Sequence, residues 1–188
     1  MGALSCEPSP ERFARVAIYS PIEDVQKPTS RKSEKVKRKK QEPETIVLAY
    51  ASAKTPAFPK GIDLTQPGYK AVVEAAQKHG IPKDLALRVA HQESKGKCNA
   101  KSSANAMGVM QVIPATARKH GLTKAKKLFD CKTGADVGMR ELKKQLNENK
   151  GDVVKALVGY NCGPDCIGRK RLPKETREYV RIITGKKL

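Results

Sequence analysis

Apolar residues recur at helical spacing through the last two-thirds of the chain, in short segments divided by Gly and Pro. Pro67–His79 brings Val72, Val73, Ala75 and Ala76 together, and Gly80 and Pro82 form its stop. Pro82–Ser94 comes next, with Pro82 suited to a first turn and Leu85, Ala86, Val89 and Ala90 making one stripe. Further helices are predicted at Pro114–His120, Gly134–Asn149, Asp152–Tyr160 and Lys174–Thr184. No stretch between Gly61 and Leu188 alternates as a half-buried strand does. The pattern predicts a mainly α-helical domain over residues 61–188.

Residues 1–60 have a different texture. Pro stands at 8, 10, 21, 28, 43, 56 and 59, apolar stripes are few, and a basic block runs from Arg31 to Lys40. Such a block cannot bury enough surface to offset its ordering entropy, so residues 1–60 read as a disordered basic tether. Inside it, Thr45 to Ala53 is apolar and ends in Ala51-Ser-Ala53, the small-x-small form of a signal-peptidase site. The run is short for a signal segment, and Glu42 and Glu44 sit where positive charge is expected. Export through this segment is the minor reading beside a plain tether. Cys6 reads as a stray thiol rather than a lipoprotein site, because only five residues precede it.

Length and charge narrow the classes. A chain of 188 residues accommodates one domain. No apolar run reaches the ~20 residues of a membrane-crossing helix. The absence of Trp and a total of eight Phe and Tyr disfavour a single-strand binder that stacks bases. The formal charge is +19, of which +14 falls in residues 61–188. That field favours anionic partners, whether nucleic acid, acidic lipid or bacterial wall, and its sign does not choose among them.

Glu93 is the first candidate for chemistry. It follows Val89 by four residues and Ala86 by seven, which places it on the apolar face of its helix. A carboxyl there loses water, its pKa rises, and it can donate a proton near neutral pH. On spacing alone the plainer reading is a frayed helix end before Gly96, and Lys95 and Lys97 would oppose the shift.

Other fragments change that balance. Glu93-Ser94, Ala100-Lys-Ser102, Ala106-Met-Gly108-Val-Met110-Gln111, Pro114-Ala-Thr116-Ala117 and Gly121 stand in that order. Ala156-Leu-Val-Gly-Tyr160-Asn161-Cys-Gly163-Pro164 and Leu172-Pro-Lys-Glu175-Thr-Arg-Glu-Tyr179-Val180 close the chain. Together, from roughly Gly68 to Ile183, they resemble the motifs of the soluble lytic murein transglycosylases. The resemblance implies a lysozyme-like α-helical domain that needs no cofactor. It also implies cleavage of the β-1,4 bond between N-acetylmuramic acid and N-acetylglucosamine in peptidoglycan. Position by position, Glu93 matches the family's acid/base and Ser102 a serine near the reacting sugar. Met110 and Gln111 match groove-lining residues, Tyr160 and Asn161 shape the site, and Glu175 and Tyr179 close it from the C-terminal side. Core packing is the competing role for Met110 and Tyr179.

Composition bears on the mechanism independently. Glycosidases ordinarily use two carboxyl groups, yet no Asp or Glu lies between Ser94 and Phe129. A second carboxyl must come from before Glu93 or from Asp130 onward, so a one-carboxyl mechanism is natural. The same stretch holds Lys95, Lys97, Lys101, Arg118, Lys119, Lys124, Lys126 and Lys127, read chiefly as a solvated face, with contact of some to peptide-stem carboxylates as the weaker reading.

Three residues depart from the family pattern: Asn105 where glycine is usual, Gly134 for asparagine, and Gly159 for alanine. Asn tolerates a left-handed backbone, and Gly159 is expected to cost about 1 kcal/mol of helix propensity without removing a functional group. The His and Cys spacings form no zinc pattern. By resemblance to relatives, Cys98 and Cys131 are the first disulfide pair, and Cys162 and Cys166 are left for a second. Two disulfides and a wall substrate imply an exported protein of the periplasm or cell envelope, and four buried thiols in a cytosolic domain are the alternative. The expected partner is the peptidoglycan glycan strand, met by a monomer, with a cell-envelope assembly as a further partner. Rival readings are a muramidase on the same fold, a non-catalytic wall-binding or secretion-assembly module, and a nucleic-acid binder. The last lacks any helix-turn-helix or zinc-finger signature for specific recognition.

Overall fold

The predicted stripes close on one another as six α-helices in the computed structural model, which describes residues 56–188. The basic block, the Thr45 to Ala53 segment and Cys6 lie outside the described residues, as does the rest of the predicted tether through residue 55. Helix α1 spans Pro67–His79, α2 Lys83–Ser94, α3 Pro114–Lys119, α4 Cys131–Glu148, α5 Val153–Cys162 and α6 Lys174–Thr184. Among the described residues, extended pairing is limited to isolated bridges of Met107 with Lys101 and with Val112. No described helix is long and apolar enough to cross a membrane.

The ends of these helices follow from local chemistry. Pro67 opens α1, and Gly80, at φ 62°, closes it. The Ile81 N–H then reaches the Ala76 carbonyl at 2.9 Å while its side chain is buried, which is a Schellman stop. Pro82 caps α2 instead of entering its first turn, so that helix begins one residue later than the spacing predicts. Helix α4 begins three residues earlier than predicted because the Asp130 carboxylate accepts the Thr133 N–H at 2.8 Å. Asp152 caps α5 in the same way, and the helix continues past Tyr160 to Cys162. Two 3-10 turns, Ala125–Phe129 and Pro164–Cys166, are too short to carry a stripe and escape the pattern reading.

Helix α4 is the spine. At 18 residues it is about 27 Å long, and it packs against α1 and α5, while α6 closes on α5 and α2. One stripe of α4, Ala135, Met139, Leu142 and Leu146, is fully buried. A second stripe, Gly134, Gly138, Glu141 and Gln145, advances by four, three and four residues and meets in turn Leu128, Met110, His120 and Gly159. Added methyls would collide with the Leu128 carbonyl at Gly134 and with the Met110 side chain at Gly138. We expect Gly138→Ala to cost about 1–2 kcal/mol net, overpacking outweighing a gain of ~1 kcal/mol in helix propensity. Thermal denaturation reads this directly, and an unchanged melting temperature would show that the Met110 seat gives way freely.

Two disulfides complete the frame. Cys98–Cys131 joins the loop after α2 to the start of α4, and Cys162–Cys166 joins the end of α5 to the 3-10 turn beyond it.

Candidate active site

The last turn of α2 carries Glu93 between the fully buried Ala90 and the buried Ser94. The residue keeps a rim of exposure, but its carboxyl group is enclosed. Tyr179 of α6 donates its hydroxyl to Glu93 Oε1 at 2.6 Å, and the nearby Glu175 carboxylate adds negative potential. Burial pushes the Glu93 pKa up from 4.5 to about 7, the Tyr179 hydrogen bond pulls it partly back, and Glu175 raises it further. Tyr160 and Tyr179 are themselves held well above the ordinary phenol range, first by burial and then by the charge of Glu93. Both therefore stay as neutral hydrogen-bond donors.

The loop that follows α2 is tightly ordered and anchored beside Glu93, through Ser94 and Tyr160. Ser102 Oγ accepts the Ala106 N–H at 3.0 Å, and Met107 and Val112 exchange backbone hydrogen bonds of 3.0 Å in both directions. Gln111 sits in the left-handed region at φ 47°, and its amide nitrogen donates to the carbonyls of Ala100 and Gly108 at 3.1 and 2.9 Å. Ser94 anchors the loop to α2 by donating to the Val109 carbonyl at 2.8 Å. Tyr160 anchors it to α5 by donating to the Met110 carbonyl at 2.9 Å. Asn161 accepts the Thr176 hydroxyl at 2.8 Å, which ties the end of α5 to the first turn of α6.

The structure brings several of the predicted site residues together and leaves Met110 out. Glu93, Tyr179, Glu175 and Tyr160 interact with one another, Asn161 ties α5 to α6 beside them, and Ser102 and Gln111 order the loop after α2. Met110 does not offer its side chain to a groove: it is 0% exposed and packed on Gly138. Because the turn at Gln111 leaves Met110 inward, only its carbonyl oxygen serves the site. All eight cations between Lys95 and Lys127 are exposed, as a solvated face would be. Among the described residues, no group of three or more His, Cys, Asp or Glu converges as metal ligands would.

A polar cluster beside Tyr160 has no counterpart in the motif pattern. Glu141 accepts from Gln145 at 2.7 Å and meets His120 Nε2 at 2.7 Å, and its carboxylate reaches Tyr160 electrostatically. Gln145 is 1% exposed and its side-chain oxygen has no hydrogen-bond partner. The sequence signal is the four-residue step from Glu141 to Gln145 on the stripe that also holds Gly134 and Gly138. It gains meaning only once α3 delivers His120.

The helical frame, the enclosed carboxyl and the ordered loop can be set beside known proteins. A family model described as the transglycosylase SLT domain matches residues 70–182. This chain belongs to the transglycosylase SLT domain family. It is similar to the membrane-bound lytic murein transglycosylase E of Buchnera aphidicola, at 29% identity over 126 residues, covering 60% of this chain and 57% of that protein. It is also similar to the transglycosylase of Enterobacteria phage PRD1, at 32% identity over 121 residues, covering 62% of this chain and 44% of that one. The chain therefore spans about half the length of these curated relatives. Its fold is similar to that of an inactive mutant of the lytic transglycosylase Slt from Pseudomonas aeruginosa, with a TM-score of 0.55 and 24% identity. That match covers 61% of this chain and 22% of the Slt chain, and it supports the lysozyme-like architecture.

Within this SLT domain the three departures have structural reasons. Asn105 adopts φ 62°, so it occupies the left-handed position a glycine would fill. Gly134 is required sterically, since any side chain would strike the Leu128 carbonyl. Gly159 does more than weaken a helix, because a methyl there would overlap the side-chain oxygen of Gln145. Its bare backbone is what admits the buried amide.

Proposed function

We propose that this SLT domain is a peptidoglycan lytic transglycosylase that cleaves the β-1,4 bond between N-acetylmuramic acid and N-acetylglucosamine. The observation that carries this reading is the enclosed Glu93 carboxyl, with its pKa near 7 and the Tyr179 hydroxyl on one oxygen. Protonated Glu93 gives its proton to the glycosidic oxygen as the bond from the muramoyl C1 breaks. The substrate's acetamido carbonyl stabilises the positive charge at C1. Glu93, now a carboxylate, takes the proton of the muramoyl C6 hydroxyl as that oxygen attacks C1, and a 1,6-anhydromuramoyl end results. In this scheme Ser102 and Gln111 bind the glycan, Tyr160 and Asn161 hold the site's wall, and Glu175 and Tyr179 close it. No cofactor enters any step.

Because the first step needs the protonated acid, lysis of murein sacculi should fall as pH rises through about 7. Tyr179→Phe supplies the sign test. Its hydrogen bond holds the Glu93 pKa down, so removing it should move the falling limb to higher pH, with turnover lowered by up to about tenfold. A turbidity assay across the pH range reads both effects. A limb that stays in place in the variant would detach the activity from Glu93.

Folding supplies what the acid-free stretch from Ser94 to Phe129 lacks, and this favours one second reading. Glu175 comes within electrostatic reach of Glu93, where it could act as a base toward water in a muramidase. Glu175→Gln separates the two: loss of all cleavage supports the hydrolase, and retained cleavage with a lowered pH limb supports the transglycosylase. Two disulfides and the proposed wall substrate support action in the periplasm or cell envelope, where a monomer would serve the wall or a larger envelope assembly.

A further inference from the structure

The turn that carries Glu93 is seated on the first residues of α1. Gly68 lies so close to Gly96 that a methyl on Gly68 would overlap the Gly96 carbonyl oxygen. Gly96, at φ 76°, lies against Tyr69, where a side chain would strike the ring carbons. Tyr69 is fully buried, and its hydroxyl reaches back to His91 Nδ1 at 2.6 Å, the two rings inclined by 17°. The His91 carbonyl in turn accepts the Lys95 N–H at 3.1 Å, which closes the helix. One side chain of α1 therefore meets the chain on both sides of Glu93, at His91 and at Gly96. The other two histidines of the chain are differently placed, since His79 and His120 meet the carboxylates of Asp136 and Glu141.

The Tyr69 hydroxyl makes no other hydrogen bond among the described residues, so its proton goes to Nδ1, which must then carry none. A protonated imidazole has N–H groups at both nitrogens and cannot accept that bond. The phenol proton would be left in the core with nothing to receive it. We propose that Tyr69 and His91 are positioning residues that hold the Glu93 turn in place while His91 is neutral and release it when His91 takes up a proton. This rests on the reading of Glu93 as the acid, and it adds an acid-side limit to the alkaline limit which that carboxyl sets. The groups around His91 favour the neutral ring. Tyr69 comes from α1, and Lys95, at the end of the same helix as His91, adds positive potential. Arg88, one turn earlier, is held by Asp84 and by the Pro56 and Ala57 carbonyls. Burial first, and Lys95 second, keep the imidazole pKa below its ordinary 6.5. As pH falls the unfolded chain takes this proton first, so the stability that neutral His91 contributes is whole above 6.5 and is lost as pH drops below it.

The test uses two variants of the full chain. His91→Asn puts an amide oxygen near the place of Nδ1 and does not titrate, whereas Tyr69→Phe keeps the ring against Gly96 and removes the hydroxyl. For each protein the rate of sacculus lysis at about pH 5 is divided by its rate at the optimum, which cancels differences in the amount of folded protein. The wild-type ratio should be about one-fifth, the effect of losing one buried hydrogen bond. In both variants the ratio should rise to about one, because neither has a titratable bond left to lose. A second measurement needs no lysis. In the Glu93→Gln background the opposing titration of that carboxyl is gone. As pH falls from 6.5 to about 5, the melting temperature of Glu93→Gln should drop relative to that of Glu93→Gln with His91→Asn. The proposal is overturned if either single variant keeps the wild-type ratio, if the wild-type ratio is itself near one, or if the two melting curves run parallel over that range. A wild type that lyses nothing at any pH would instead count against the transglycosylase reading, and the melting comparison would then decide this proposal by itself.

Discussion

Glu93→Gln is expected to abolish lysis, lowering the rate by at least about a thousandfold while leaving the protein folded. General acid/base assistance contributes roughly 10²–10⁴-fold, and in the proposed mechanism one group serves in both halves of the reaction. The amide is nearly the same size and can still accept from Tyr179, so the seat of the side chain survives. Stability should move the other way. The folded carboxyl has a pKa of about 7 against 4.5 for the free group. Below pH 4.5 both states hold the proton and there is no cost. As pH rises the unfolded chain ionises first, and stability is lost progressively through about pH 7. The variant escapes that loss, so above neutral pH it should be more stable than the wild type by on the order of 1–2 kcal/mol, partial exposure reducing the full linkage value. Equal lysis by the variant and the wild type would remove Glu93 from the mechanism, and a variant that unfolds would contradict the account of its burial.

The second large effect concerns the Cys98–Cys131 disulfide, which closes 33 residues of sequence and with them the whole loop from Ala100 to Val112. A cross-link of that span restricts the unfolded chain by about 4 kcal/mol in the chain-entropy model, whereas the four-residue span of Cys162–Cys166 accounts for about half as much. Replacing Cys98 and Cys131 with Ser should therefore lower the melting temperature by roughly 10–15 °C. Replacing Cys162 and Cys166 should cost about half that. Calorimetry on the two double variants reads the order. The reverse order would mean that the Ser102–Val112 loop is held chiefly by its own hydrogen bonds.

Much of this architecture could be read from residue spacing because the helices are short and amphipathic and their stops are local. Gly80, Asp130 and Asp152 end or begin helices through their own backbone or side-chain chemistry, so the boundaries shift by only a few residues. Glu93 was a candidate from its place on the α2 stripe, but spacing alone favoured a frayed helix end, and the ordered motif fragments around it tipped the reading. Met110 shows the limit. Its direction depends on the left-handed turn at Gln111 and on the space left by Gly138, 28 residues later in the chain. The His120–Glu141 pair joins residues 21 apart, one at the C-cap of α3 and one within α4, and no periodicity announces it. Likewise the lack of acid between Ser94 and Phe129 was a true feature of the sequence, yet the fold brings Glu175 to the site from 82 positions away.

The central claim is that Glu93 cleaves glycan by internal attack and without water. Mass spectrometry of murein digested by the wild-type protein, with Glu93→Gln digested in parallel, tests it most directly. Internal attack yields 1,6-anhydromuramoyl products, each lighter by one water than a hydrolytic fragment, and none are expected from the variant. Reducing muramoyl ends with water added, formed by the wild type in place of the anhydro products, would contradict it.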